Sequence, residues 1–138
     1  METDYLSEDN EDLIKKFGAE PIDKLSETPD FYTFKTGVLA SHRDFDKFFS
    51  ALKKGEKCAI LSGVNASGTL HLGHKAVFDT NLFFQKKYGI PVFIPISDDE
   101  SYVAGKVKDQ ETALKNSLKL AKELLAYGFD QHKTYFII

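Results

Sequence analysis

Seven consecutive residues, Ile90-Pro91-Val92-Phe93-Ile94-Pro95-Ile96, carry no charge and no side-chain hydrogen-bonding group. The run is bounded by Gly89 and by the acidic stretch Ser97-Asp98-Asp99-Glu100. So short an apolar run reads as a strand covered on both faces. Strands of that kind belong to parallel sheets whose crossovers are helices, which restricts the chain to the α/β class. Pro91 is tolerated at the strand's start. Pro95 has no N–H, so the spacing predicts that its nitrogen faces away from the ladder or that the strand ends there.

The flanks fit that class. Lys57 to Leu61, with the apolar Cys58-Ala59-Ile60-Leu61, predicts a first strand, and Lys133 to Ile138 a third. From His71 to Tyr88 the pattern predicts a helix that buries Val77, Phe78, Leu82, Phe83 and Phe84 and is closed by Gly89. Asp109 is expected to cap a second helix through Tyr127, with Ala113, Leu114, Leu118, Ala121, Leu124 and Leu125 inward and Gly128 at its end. Strand, helix, strand, helix, strand implies parallel pairing through right-handed crossovers. The expected fold is thus α/β: the first half of a Rossmann-like nucleotide-binding fold over residues 57–138. Such a half is usually completed by a second, and its outer strand would otherwise seek a partner.

Residues 1–56 read as an N-terminal helical extension. Residues 1–10 are polar, Glu11 to Phe17 has helical spacing, Asp23 to Ser26 suits a helical turn, and Glu27 to Gly37 reads as loop. Ser41, followed three residues later by Asp44, resembles a capping box for a helix that buries Phe45, Phe48, Phe49 and Leu52 and ends at Gly55. His42 and Arg43 would fall in its first turn, against the helix dipole. Such a placement suits either a ligand contact or a solvated helix start.

Composition narrows the function. With 138 residues and a net charge of -3, the chain is one domain at most and no general nucleic-acid binder. The single cysteine, Cys58, allows no internal disulfide and reads as a small core residue. No apolar run approaches the roughly 20 residues of a membrane span, and the acidic N-terminus is unlike a secretory signal. A soluble, cytoplasmic protein is expected.

The chemistry concentrates in Ser62-Gly63-Val64-Asn65-Ala66-Ser67-Gly68-Thr69-Leu70-His71-Leu72-Gly73-His74. Small residues between a strand and a helix let backbone approach a ligand closely. The helix start offers free N–H groups and a positive dipole end to an anion. His71 and His74 stand at i and i+3, on one side of the first turn. Such a pair can contact phosphate, ligate a metal, move protons or cap the helix. A metal would want a third ligand, and Asp79 lies too far along the helix. Phosphate contact fits best, with Gly73 leaving the helix backbone open to a flat base or sugar. Neither Gly-x-x-x-x-Gly-Lys-Ser/Thr nor Gly-x-Gly-x-x-Gly is present, which disfavours ordinary kinases, GTPases and dehydrogenases. The acids Asp98, Asp99 and Glu100 fall at a strand's carboxyl end, where open α/β sheets bind ligands.

The stretch Ala66 to His74 resembles the His-x-Gly-His signature of class I aminoacyl-tRNA synthetases. Asp12-Leu13-Ile14-Lys15-Lys16-Phe17-Gly18, Val38 to Asp44, Ser97 to Glu100 and Gly128 to Thr134 are similar, in order, to tryptophanyl-tRNA synthetases of the archaeal and eukaryotic type. That resemblance covers nearly the whole chain. It implies activation of tryptophan with ATP, accompanied by Mg2+, and transfer of the tryptophanyl group to tRNA(Trp). It also implies that His71 and His74 hold the phosphates and stabilise developing charge, and that Gly73 lies under the adenosine. Gly63, Asn65, Ser67 and Gly68 would line the ATP loop. Glu100 would face the amino group of the amino acid, with Leu61 and Pro95 beside its side chain.

The sequence departs from that family twice. Leu61 and Pro95 stand where the best-known branch has Tyr and Gln, side chains that bind the indole N–H. Nothing matches the Lys-Met-Ser-Lys-Ser loop of the second half either. The expectation is an N-terminal piece of a synthetase, inactive or weak alone, served by a complementary C-terminal half or a homodimer. A tyrosyl-tRNA synthetase fragment, a non-catalytic nucleotide-binding module and another nucleotidyltransferase are the alternatives.

Overall fold

A computed structural model describes residues 16–138. The expected helix from Glu11 to Phe17 lies almost wholly outside the described residues. The chain divides, between Glu56 and Lys57, into two compact units.

In the first unit, β1 (Glu20–Pro21) pairs antiparallel with β2 (Ser41–His42). A 3-10 turn, Ile22–Lys24, stands near the expected helical turn. Two readings are corrected here. The stretch read as loop contains a single helical turn, α1 (Tyr32–Lys35), which buries Thr33 and Phe34. Ser41 caps nothing, because it is committed to β2. The next helix, α2 (Phe45–Lys53), starts after Asp44, whose φ of 55° is left-handed, a conformation Asp tolerates better than most residues. His42 and Arg43 therefore precede the helix. The His42 Nδ1 accepts the Phe45 N–H at 3.4 Å, and Arg43 donates to the Phe17 carbonyl. The aromatic face is as expected: Phe45 stacks on Phe49 at 5.7 Å and meets Phe34 at 5.1 Å.

The second unit is a parallel sheet with helices. Its strands are β3 (Ile60–Leu61), β4 (Val64–Asn65), β5 (Val92–Ser97) and β6 (Thr134–Ile137). Between them run α3 (Leu72–Tyr88), the short α4 (Asp98–Val103) and α5 (Gln110–Tyr127). β5 is central: β6 lies on one side, and β3 and β4 pair with it in one continuous register. The first strand is shorter at its start than expected, since Lys57 to Ala59 are not paired, and Cys58 is half-buried rather than core. It also runs further, because Val64 and Asn65 rejoin the sheet inside the segment read as loop.

The gap between β3 and β4 has a covalent cause. Ile60 pairs with Val92 and Leu61 with Phe93, then Val64 with Ile96 and Asn65 with Ser97. The Ser62 N–H donates to the Phe93 carbonyl at 2.9 Å. In that register the Ser62 carbonyl faces residue 95, and proline has no N–H to give it. Pro95 thus neither turns its nitrogen away nor ends the strand, as the sequence led us to expect. It removes one rung, and Gly63 fills the place beside it.

Side-chain alternation on β5 buries Val92, Ile94 and Ile96 with Phe78 of α3 and Leu120 and Leu124 of α5. The other face is part-exposed, which corrects the reading of a strand covered on both faces. Leu61, Phe93 and Tyr135 form one row across it, with the Phe93 and Tyr135 rings stacked at 4.9 Å. The inward faces of the helices also differ from expectation. On α5 the buried line is Ala113, Ser117, Leu120 and Leu124, while Leu114, Leu118 and Leu125 point outward. Apolar residues fill two neighbouring stripes of that helix, and Ser117 joins the core by donating to the Ala113 carbonyl at 3.1 Å. On α3, Val77 is exposed, whereas Asn81, Phe84 and Gln85 are buried with Phe78. Gln85 sits inside because it is fully used: it donates to the Lys133 carbonyl and to Thr134, and it accepts the Asp130 N–H.

Candidate nucleotide site

The site is built where β4 ends and α3 begins, at the carboxyl end of the sheet. Ala66 is completely buried and anchors the connecting loop. α5 holds that loop from outside: Asn116 donates to the Ala66 carbonyl at 3.3 Å, and Glu123 accepts the Leu70 N–H at 3.5 Å. Ser67, Gly68 and Thr69 are exposed between those two anchors, and Gly68 has open space on its side-chain face.

The two histidines form the start of α3 themselves. His71 is the N-cap, and its Nδ1 accepts the Gly73 N–H at 3.1 Å. The His74 Nδ1 accepts the His71 N–H at 3.3 Å, which closes a reciprocal capping box. The rings lie 3.9 Å apart, and His74 continues onto Phe78. Capping, which the sequence reading ranked below phosphate contact, is what these side chains do here. It leaves each Nε2 unused by the cap, so a second contact remains open. His71 is exposed and His74 half-buried. Burial, with the neighbouring His71, lowers the His74 pKa below its ordinary value and favours the neutral ring. A cavity of about 340 Å³ opens beside them, lined by Leu70, His71, Leu72, His74, Lys75, Phe78 and Tyr127.

The remaining sequence candidates fall into two groups. Leu61, Gly63 and Pro95 share the open face of the sheet. Leu61 is 73% exposed, and a side chain at Gly63 would touch the Pro95 carbonyl at 3.7 Å. Asn65 and Glu100 belong together through a residue the sequence reading missed, Ser101. Its hydroxyl bonds the Asn65 side chain and the Ser97 carbonyl, and it is fully buried. That bond ties α4 to β4 and leaves Glu100 exposed in the first turn of α4, beside Asp98 and Asp99. The acids suit that position, because carboxylates favour a helix start. Two more neighbours were missed. Tyr127, on the cavity wall, donates to Asp79, and Lys75 pairs with the same carboxylate at 2.6 Å. Neither had a motif to betray it, being separated from the histidines by a whole helix or turned along one. Among the described residues, no three His, Cys, Asp or Glu side chains gather to hold a metal.

The sequence profile of the tRNA synthetases class I (W and Y) matches residues 53–138, which include the whole site. The chain belongs to this family. Its relatives include tryptophan–tRNA ligase 2 of Halobacterium salinarum, 37% identical, with all of this chain aligned to 35% of that protein. The tryptophan–tRNA ligase of Aeropyrum pernix is 32% identical over 90% of this chain and 31% of its own length. Among solved structures, a tryptophanyl-tRNA synthetase from Encephalitozoon cuniculi bound to tryptophan superposes with a TM-score of 0.80 at 28% identity. That match covers 93% of this chain and 40% of the other. The chain therefore spans about a third of the length of these curated relatives. For this member of the class I synthetases, the Rossmann-like reading of the sheet holds.

Proposed function

We propose that residues 57–138 form the first half of the catalytic domain of a tryptophan–tRNA ligase, with residues 1–56 as its N-terminal extension. The reaction is attack of the tryptophan carboxylate on the α-phosphorus of ATP, which gives tryptophanyl-adenylate and pyrophosphate, then transfer of the tryptophanyl group to tRNA(Trp) with release of AMP. His71 and His74 bind the phosphates and stabilise the charge that grows on them. Gly73 leaves the helix backbone open to the adenosine, and Gly63, Asn65, Ser67 and Gly68 line the path of the nucleotide. Mg2+ enters with the phosphates. Glu100 meets the substrate's ammonium group, and Leu61 and Pro95 flank its ring.

The observation that carries this reading is the histidine pair at the start of α3, where each ring keeps one nitrogen outside the cap. The similarity to tryptophan–tRNA ligases along the whole chain supports the choice of amino acid. The site works in the cytoplasm, together with a complementary C-terminal half and, in the complete enzyme, a second copy. The test is a titration of the chain with Mg-ATP, repeated with His71→Ala. Measurable affinity that falls about tenfold in the variant supports the site. Equal affinity in both would point instead to a non-catalytic module. The complete enzyme should exchange pyrophosphate into ATP only when tryptophan is present.

One observation favours a second reading of the amino acid. Leu61 and Pro95 offer no side-chain donor or acceptor on the open sheet face. A substrate whose ring needs no hydrogen bond there would be accepted equally well. Exchange measured with phenylalanine and tyrosine beside tryptophan separates the two readings.

A further inference from the structure

We propose that the reciprocal cap fixes both His71 and His74 as neutral rings protonated on Nε2, and that Gly73 is the positioning residue that makes room for this arrangement. The inference rests on the nucleotide-site reading only for what the Nε2–H groups meet. The arrangement itself follows from geometry.

Each Nδ1 accepts a backbone N–H: His71 from Gly73 at 3.1 Å, His74 from His71 at 3.3 Å. A nitrogen that accepts cannot carry a proton, so a neutral ring must carry its proton on the other nitrogen. Both rings then present an N–H to the outside. Phosphate oxygens accept donors of this kind. A proton added to either Nδ1 would turn an acceptor into a second donor facing a donor, and would open the cap.

Gly73 is needed for a reason other than backbone freedom. A Cβ at that position would stand 3.0 Å from the His71 Cε1 and 3.1 Å from its Nδ1. Those are two atoms of the capping ring itself. A side chain at 73 therefore makes the His71 ring, whose Nδ1 accepts the Gly73 N–H, give way by a few tenths of an ångström. The glycine serves the imidazole as well as any ligand.

The experiment is a two-bond 15N–1H correlation spectrum of the histidine rings in the 138-residue chain at pH 7.5, recorded with and without Mg-ATP. The proposal expects the Nε2–H pattern for both rings before any ligand is added. Gly73→Ala should shift the His71 ring toward a tautomer mixture, leave the chain folded by its amide spectrum, and weaken Mg-ATP about tenfold. His71→Asn, which can accept with Oδ1 and donate with Nδ2, should bind Mg-ATP more tightly than His71→Ala. An Nδ1–H pattern on either wild-type ring would overturn the proposal, and so would unchanged His71 signals in Gly73→Ala. If Gly73→Ala does not fold, the wild-type spectrum alone decides. Both rings in the Nε2–H form without any Mg-ATP binding would uphold the cap and refute the nucleotide site.

Discussion

Helices α3 and α5 begin in opposite ways. At α5 the N-cap is Asp109, whose carboxylate accepts the Thr112 N–H at 2.7 Å. Hydrogen bonds from Thr112, helped by Lys108, hold that carboxyl below its ordinary pKa, so it stays charged. At α3 the same job falls to two imidazoles. Both helices have unpaired N–H groups and a positive dipole end to satisfy. Asp109 answers the geometry and the charge together. His71 and His74 answer the geometry, and on the proposed reading the electrostatic demand is left to an outside anion. On the proposed reading, the contrast separates a helix start that is finished from one left for a ligand.

The strongest way to break the contrast is to make α3 begin like α5. His71→Asp should keep or improve the cap while placing a negative charge where the proposed reading puts the phosphates. We expect the thermal midpoint to hold or rise and Mg-ATP affinity to fall by about 100-fold or more, as calorimetry of melting and binding would show. Retained affinity would mean that the anion is held elsewhere. Next in size is Ser101→Ala, which leaves the half-buried side-chain oxygen of Asn65 without its donor. A loss of about 1–2 kcal/mol in denaturant unfolding is expected, along with weaker amino-acid binding as Glu100 loses its anchor. Asp109→Ala is the control from the finished helix. It should lower the thermal midpoint by a few degrees and leave nucleotide affinity unchanged.

The smallest expected effect is a dependence on pH. His74 has its pKa lowered on folding, so the unfolded chain binds its proton more readily. Its contribution to stability is fully present above the ordinary histidine value of about 6.5 and is lost as pH falls through the folded value. Melting at pH 7.5 and at pH 5.5 should show a drop that is smaller in His74→Gln. A drop of equal size would assign the pH dependence to other groups.

The sequence pattern carried the α/β class, the three strand regions and both long helices, because apolar periodicity and glycine stops are local signals. Tertiary choices were not legible. Val77 is as apolar as Phe78, yet only one faces the core, while Asn81 and Gln85 were hidden by their polarity. The broken rung at Pro95 was foreseeable from its missing N–H, but the strand that would lose it was not. The histidine pair was found from spacing, and its capping role was undervalued because imidazole caps are unusual. Ser101 and Tyr127 had no local signature, since each acts on a residue from another element. In the first unit, Ser41 kept the composition of a cap but was claimed by β2.

The most direct test of the histidine site is where nucleotide perturbs the chain. Mg-ATP titrated into 15N-labelled protein should shift the amide signals of Leu72, Gly73 and His74 first and most, together with both ring Nε2–H signals. Shifts concentrated at Asp109 to Thr112, or none near α3, would contradict the claim that the uncharged helix start is the one that takes the anion.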